Sequence, residues 1–499
     1  MIFLVLHRTN DGYIRLCTRF LVVALLILTY VPVFAAQVTF KPSLELSETY
    51  TDNVDPLNNP GEEDYITGVT PNFALQTNGS RLNTNLGVTS ENFFYMKDSS
   101  RNAWYYDLMA DASAELVKDF AFLNLGANGY RRAISSSGGL AQSNHNVADP
   151  ANTFTWLINP HFKKRFAGKA EGAASYSHKE IRNDGQGLSD AEIEAVQVGL
   201  KSGPSFRRMT WSLDYSQETT KRNEASNYRE ESSIAQMDYR VYKKLGILFH
   251  IGSEYSDLLT AQNGSYYAVG IKIVPRSTLQ IDLLSGNRRD MASISWVSTR
   301  GSALDILWRN EEVGQNPGKS LQGTLLLINR RMAWRASYRV ERTSEQNLQG
   351  SELDTENSSL QLDSSHSSEC APSNQVFKRK YAQTGFEYKT ARSLISISLD
   401  RERREFDDSD DEKSRKGTFS WSWRFATRTT MLLEFLDSKS ECSGAGAGAG
   451  DKDSHDMSIG FFRKMGRGME GSVKAQFKSG DGPRSYDENS LKAGVKWHF

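Results

Sequence analysis

Four groups of charged residues recur at a spacing of four: Asp107, Asp111 and Glu115; Arg335 and Arg339; Lys474 and Lys478; Lys492 and Lys496. On an extended chain residues four apart point the same way. Charges on one face of a wall steer a polar solute through a water-filled passage. The same charges would equally well do no more than hydrate an interior. His161 and His250 fall at positions that could share that face, but neither adjoins a nucleophile elbow or any acid–base motif. No catalytic residue is therefore assigned, and the chain is not expected to be an enzyme. Asp52, Asn53, Asp55, Asn58, Asn59, Glu62, Glu63 and Asp64 make an oxygen-rich run of the kind that can hold Ca²⁺. Without EF-hand spacing it is better read as a solvated loop, so no metal ligand and no cofactor is expected. Cys370 and Cys442 would be free to pair in an oxidising compartment.

The residues around these charges have a period of two. Val38, Phe40, Leu44, Leu46 and Tyr50 alternate with Lys41, Ser43, Glu45 and Ser47. Trp104, Tyr106, Leu108, Ala110, Ala112, Ala114 and Leu116 alternate with Asp107, Asp111 and Glu115, and Phe419, Trp421, Trp423 and Phe425 with Ser420, Ser422 and Arg424. These are strands with one apolar and one polar face. Very short breaks fall at 117–119, 166–168, 243–245, 275–277, 389–391 and 426–428. Longer polar stretches separate them, at 51–64, 131–152, 179–190, 217–231, 341–375, 402–415 and 438–453. The Gly-Ala repeat of 444–450 reads as a flexible loop tip. Short and long connections alternate over about 24 strands (range 20–26), as in an antiparallel transmembrane β-barrel with periplasmic turns and extracellular loops. About 24 strands ~4.8 Å apart and tilted ~40° close into a barrel roughly 45–50 Å across, too wide for side chains to fill. Its lumen must be open, folded over by a loop, flattened or filled by a partner.

A leader precedes the strands. Phe20–Ala36 reads FLVVALLILTYVPVFAA behind Arg15 and Arg19, which marks residues 1–35 as a signal peptide and 36–499 as the barrel. Cys17 would leave with it. Leu491, Ala493, Val495, Trp497 and Phe499 alternate to the end of the sequence, like the terminal strand that outer-membrane assembly machinery recognises. Pairing this strand with the first would set Lys492 and Lys496 near Lys41 and Glu45, because lipid tolerates no open sheet edge. The 60 basic and 60 acidic residues cancel, which argues against a nucleic-acid partner.

The opening VTFKPSLELSETYTDNV (Val38–Val54), with DYITGVTP (Asp64–Pro71) and NFALQTNGSR (Asn72–Arg81), resembles the outer-membrane β-barrels associated with the PEP-CTERM/exosortase system of Gram-negative bacteria. The likeness covers roughly the first 120 residues. It implies a link to exopolysaccharide synthesis and export and brings no catalytic residues with it. The ending GVKWHF lacks the Pro-Glu-Pro, apolar helix and basic tail of a PEP-CTERM substrate.

The first expectation is thus an outer-membrane conduit or scaffold for exopolysaccharide export. The others are a general porin-like channel for small solutes and a non-conducting structural or adhesion barrel that acts through its outer loops. Expected partners are outer-membrane lipid and lipopolysaccharide, the assembly machinery, and a polysaccharide or periplasmic export component. Plugged transporters and fimbrial ushers fit less well, since strand 1 follows the leader closely and no domain is seen after the last strand.

Overall fold

The computed structural model describes residues 37–499 apart from 55–60, 134–149, 185–188, 224, 259–260, 352–369, 371–373, 408, 443–449 and 483–484. The expected leader, Cys17, Asp55, Asn58, Asn59 and most of the Gly-Ala repeat lie outside the described residues.

The described residues form 24 strands, from β1 (Gln37–Thr51) to β24 (Tyr486–His498), joined in one sheet. Each strand pairs antiparallel with the next along the chain, and β1 pairs with β24 to close the barrel. Closure sets Leu44 against Trp497, Leu46 against Val495 and Tyr50 against Leu491, while Glu45 faces Lys496. Among the described residues the sheet has no open edge strand, as a bilayer requires.

Because cross-strand partners share a face, the register sorts every strand into an inner and an outer side. The outer side carries Phe73, Leu213, Ile251, Val269, Leu399, Val473 and Phe477, all exposed. Left in water, each would forgo about 1.5–3 kcal/mol of burial energy. A continuous apolar belt of this size marks a surface meant for lipid. Two aromatic rings bound it. At the short-turn end lie Phe120 against Phe162 (5.7 Å) and the row Trp421, Trp423 and Phe425. At the other end Tyr50 meets Tyr65 (5.2 Å) and Trp104 meets Tyr106 (6.5 Å).

Connections differ between the two ends as the alternation predicts. Residues 118–120, 167–169, 243–244, 277–278, 390–392 and 427–428 make short turns, whereas at the other end consecutive strands such as Gln37–Thr51 and Asp64–Asn78, or Met332–Thr343 and Phe377–Lys389, are separated by longer stretches of sequence. Several stretches expected to be loops are strand instead. β7 (Ala170–Asp184), β9 (Met209–Arg222), β10 (Tyr228–Tyr242), β19 (Ser393–Phe406), β20 (Glu412–Ala426), β21 (Thr429–Cys442) and β22 (Gly450–Lys464) run well into the polar sequence. Beyond the lipid belt both faces of these strands meet water, so the period-two signature vanishes while the pairing continues. Ion pairs such as Lys413–Glu441 (2.8 Å) and Lys439–Asp453 (3.3 Å) take the place of apolar cross-strand contacts. One long-loop connection is only a turn, at 287–288, between β13 (Leu279–Gly286) and β14 (Arg289–Val297). Next to it β12 (Gly264–Arg276) approaches β13 unusually closely. A Cβ on Gly270 would lie 2.0 Å from the Leu283 carbonyl oxygen, and one on Gly286 1.9 Å from that of Tyr267.

Candidate functional site

The inner face is built from hydroxyls, amides and charges. On β19 and β20 it presents Ser396, Ser398, Thr418, Ser420 and Ser422; on β5 (Ala121–Ala133) and β6 (Pro150–Phe166), Asn124, Asn128 and Asn159. The sequence-predicted charges all fall on this side by register, but they do not form an acidic wall opposite a basic one. Lys474 pairs with Glu434 (3.2 Å) and Lys492 with Glu45 (3.0 Å). Lys496 faces Glu45 and Glu470, while the buried Lys478 faces Asp456 and Glu488. Arg335 pairs with Glu387 (3.1 Å), and Arg339 lies 3.7 Å from Glu341. On β4 (Ala103–Val117) Asp107 lies opposite Thr89 and Asp111 opposite Asn85, while Glu115 accepts the Asp119 N–H (2.6 Å) in the following turn. The predicted cations each lie beside a carboxylate, whereas the carboxylates of β4 face a hydroxyl and an amide, so the lumen is hydrophilic throughout.

His250 lines an inner cavity of about 710 Å³ with Gln236, Asp238, Lys272, Asp282 and Arg309. There Lys272 pairs with Asp238, and Arg289 bridges Glu254 (2.7 Å) and Glu311 (2.8 Å) with its guanidinium 4.0 Å from the Tyr266 ring centre. His161 stacks on Phe122 (5.0 Å) in a second cavity of about 510 Å³ with Asn124, Asn159 and Lys163. Serines line both cavities, Ser175 directly opposite His161 and Ser212 and Ser232 in the cavity of His250.

The long loop after β17 (Met332–Thr343) carries a feature the sequence did not announce. Its first residues form helix α1 (Glu345–Ser351), and Glu345, Gln346, Leu348, Gln349 and Gly350 are all buried. Ser344 Oγ lies 3.4 Å from the Tyr228 hydroxyl of β10. Asn347 donates to Glu218 (3.1 Å) and accepts from Thr220 (3.3 Å), both on β9. Gln346 donates to Ser189 (3.2 Å) in the β7–β8 connection and to Asn374 (2.8 Å). Gly350 packs beside Lys179 and Ile181 of β7 and Ile193 of β8 (Ala191–Ser202). From the other side Arg404 of β19 donates to Glu345 (2.9 Å). By register Glu218, Thr220, Tyr228, Ile181, Ile193 and Arg404 all face inward. Helix α1 therefore lies inside the barrel at its long-loop end and ties walls ten or more strands apart in sequence. Of the four fates open to a wide lumen, folding over by a loop is the one observed at this end.

A ladder of buried ions continues from the helix. Arg404 also bonds Glu402 (2.6 Å), Glu402 bonds Arg379 of β18 (Phe377–Lys389) at 2.8 Å, and Arg379 reaches Glu341 of β17 at 3.2 Å. Arg404, Glu402 and Glu345 are almost wholly shielded from water. The sequence held one hint of this. Glu402 and Arg404 are two apart, the spacing of one strand face, but both fall in a stretch read as loop. Cys370, on the far side of the same loop, is joined to Cys442 at the end of β21, with Cα atoms 5.3 Å apart.

The oxygen-rich first loop is engaged locally. Asp52 accepts from the Asn489 amide (2.6 Å) and backbone (2.7 Å), and Asp64 from the Tyr65 and Lys97 N–H groups. The Lys97 ammonium, 2.8 Å away, holds the Glu63 carboxyl below the usual carboxylate range. Among the described residues His178, Glu192 and Glu194 are the group best placed to share a metal ion. Lys221 already lies 2.8 Å from Glu194 and 3.7 Å from Glu192, where it neutralises the carboxylates.

Fold and lumen together define a closed antiparallel barrel with a lipid-suited exterior and a hydrophilic interior, the transmembrane β-barrel class. No protein-family model matches the chain, and no curated protein does. Among solved structures it is similar to the siderophore receptor PirA from Pseudomonas aeruginosa (7% identity, 92% of this chain and 80% of that chain, TM-score 0.42). It is likewise similar to the FrpB iron transporter from Neisseria meningitidis (10%, 92% and 82%, TM-score 0.42) and to OpdK from Pseudomonas aeruginosa, solved with vanillate (8%, 92% and 98%, TM-score 0.35).

Proposed function

We propose that this chain is an outer-membrane barrel serving as a conduit or scaffold in exopolysaccharide export, with its outer mouth covered in the resting state by helix α1. The observation that carries the reading is the helix itself, buried in the lumen and held by Glu345–Arg404. A covered mouth fits an export device that opens for its cargo better than it fits a passive pore. The inner wall supports a sugar cargo, since hydroxyls, amides and paired charges offer hydrogen bonds without favouring one sign of solute. The PEP-CTERM resemblance of the first strands supplies the link to polysaccharide.

A second reading, a non-conducting barrel that acts through its outer segments, is favoured by the same buried ion ladder. Two measurements separate the alternatives. Deletion of the gene should lower secreted polysaccharide, and unchanged secretion would sink the export reading. In planar bilayers the native barrel should conduct little, and Glu345→Ala should raise conductance several-fold by freeing the helix from Arg404. Free conductance by the native protein would favour a porin. A variant as closed as the native barrel, despite release of the helix, would favour the non-conducting reading.

A further inference from the structure

The outward face of β18–β21 changes character abruptly above the lipid belt. On β19 the outward positions run Ile395, Ile397, Leu399, then Arg401 and Arg403. On β20 they run Trp423, Trp421, Phe419, Gly417, then Arg415 and Lys413, and on β21 Leu433 and Phe435 give way to Asp437 and Lys439. β18 adds Lys378 and Lys380. Seven cations thus gather along one rim.

Four of the seven cations are balanced within the patch. Lys380 pairs with Glu405, and Arg403 with Glu405 (3.2 Å) and Asp411 (2.6 Å). Lys413 pairs with Glu441 and Lys439 with Asp453. Arg401 and Arg415 have no carboxylate within ion-pair distance among the described residues, although the Arg401 charge still reaches Glu441. They face each other directly across β19–β20, Arg415 also faces Lys439 across β20–β21, and both arginines are exposed. Like charges set opposite one another destabilise a strand pair, so the arrangement calls for an anion between them. Directly below, Leu399 and Phe435 stay exposed on the apolar belt. An anion bound here would therefore carry its own hydrocarbon. At the same level the outward ends of β7 and β8 hold Glu180, Glu192 and Glu194, and the cations near them, Arg182 and Lys221, are paired with these carboxylates.

We infer that Arg401 and Arg415, flanked by Lys439, bind the phosphate groups of a phosphorylated glycolipid of the outer leaflet, lipopolysaccharide. Guanidinium forks match phosphate oxygens in pairs, and the apolar belt beneath receives the acyl chains. The inference rests on the outer-membrane reading above.

The test extracts the full chain from membranes in mild detergent and measures co-purified lipopolysaccharide for native protein, Arg401→Gln/Arg415→Gln, Arg415→Gln alone and Lys221→Gln. The double variant should retain roughly tenfold less glycolipid, the single variant an intermediate amount, and Lys221→Gln the native amount. Glycolipid stripped of its phosphates should not rebind, and inorganic phosphate should not displace the intact lipid at equal concentration. Equal retention by a double variant that still shows the heat-dependent gel shift of a folded barrel would overturn the site and leave the membrane reading standing. Rebinding of the dephosphorylated lipid, or preference for a free acidic polysaccharide, would overturn it as well. Recovery of the native chain as a water-soluble protein would remove both.

Discussion

Arg404 illustrates how a single side chain can hold two walls and a loop together. Its guanidinium is bonded to Glu402 and Glu345 and lies 4.8 Å from the Phe377 ring centre, with 1% of the side chain exposed. In so dry a setting the attraction between partners is weighed against the loss of their hydration, and the balance depends on every charge having a partner. Arg404→Leu removes one positive charge and leaves Glu345 buried without it, whereas Glu402 retains Arg379. The expected cost is about 3–5 kcal/mol. It should appear as a fall in the temperature at which the folded band is lost on semi-native gels. Pairing the change with Glu345→Leu should recover part of the loss, because one carboxylate leaves with its guanidinium, while the buried Glu412 opposite Arg404 keeps the recovery incomplete. A single variant as heat-resistant as the native chain would mean that the ladder does not hold the mouth.

Among the elements, legibility followed the lipid belt. Where a strand has lipid on one side and water on the other, its residues alternate, and the turns at 118–120, 167–169 and 427–428 lie within one residue of where the alternation places them. Above the belt nothing forces alternation, so Lys179–Asp184 and Glu402–Phe406 read as loop although they are paired strand. Helix α1 was hidden for a related reason. Its contacts are hydrogen bonds and ion pairs to distant strands, which leave no periodic trace in so short a segment. The disulfide belongs to this scale too, because Cys370–Cys442 ties the second half of the same loop to β21. Cys370→Ser/Cys442→Ser should let helix α1 leave the mouth more often, by an amount of order 2–4 kcal/mol if the cross-link acts mainly on the chain's freedom. Limited proteolysis should then cut within Glu345–Ser351 several-fold faster, with the barrel itself intact. An unchanged cleavage rate would show that the contacts of α1 suffice to hold the loop.

For the molecule as a whole, a mean hydropathy of −0.53 and balanced charge describe a chain that ordinary hydropathy reading would leave in water. The register resolves this, since polar residues fill the lumen and the outer extensions while apolar ones gather in a single belt. The closing strand shows that assembly and stability can be asked about separately. Phe499 donates its N–H to the Pro42 carbonyl (3.1 Å), yet its ring is 78% exposed and packs little within the chain. Removing it should cost the finished barrel only about 0.5–1.5 kcal/mol, the net worth of one hydrogen bond. If the aromatic end is read by assembly machinery, the truncated chain should reach the outer membrane several-fold less in cells while refolding in detergent to a barrel of nearly native heat resistance. Equal losses in both settings would make Phe499 a structural residue. Normal cellular levels would remove its role as a signal.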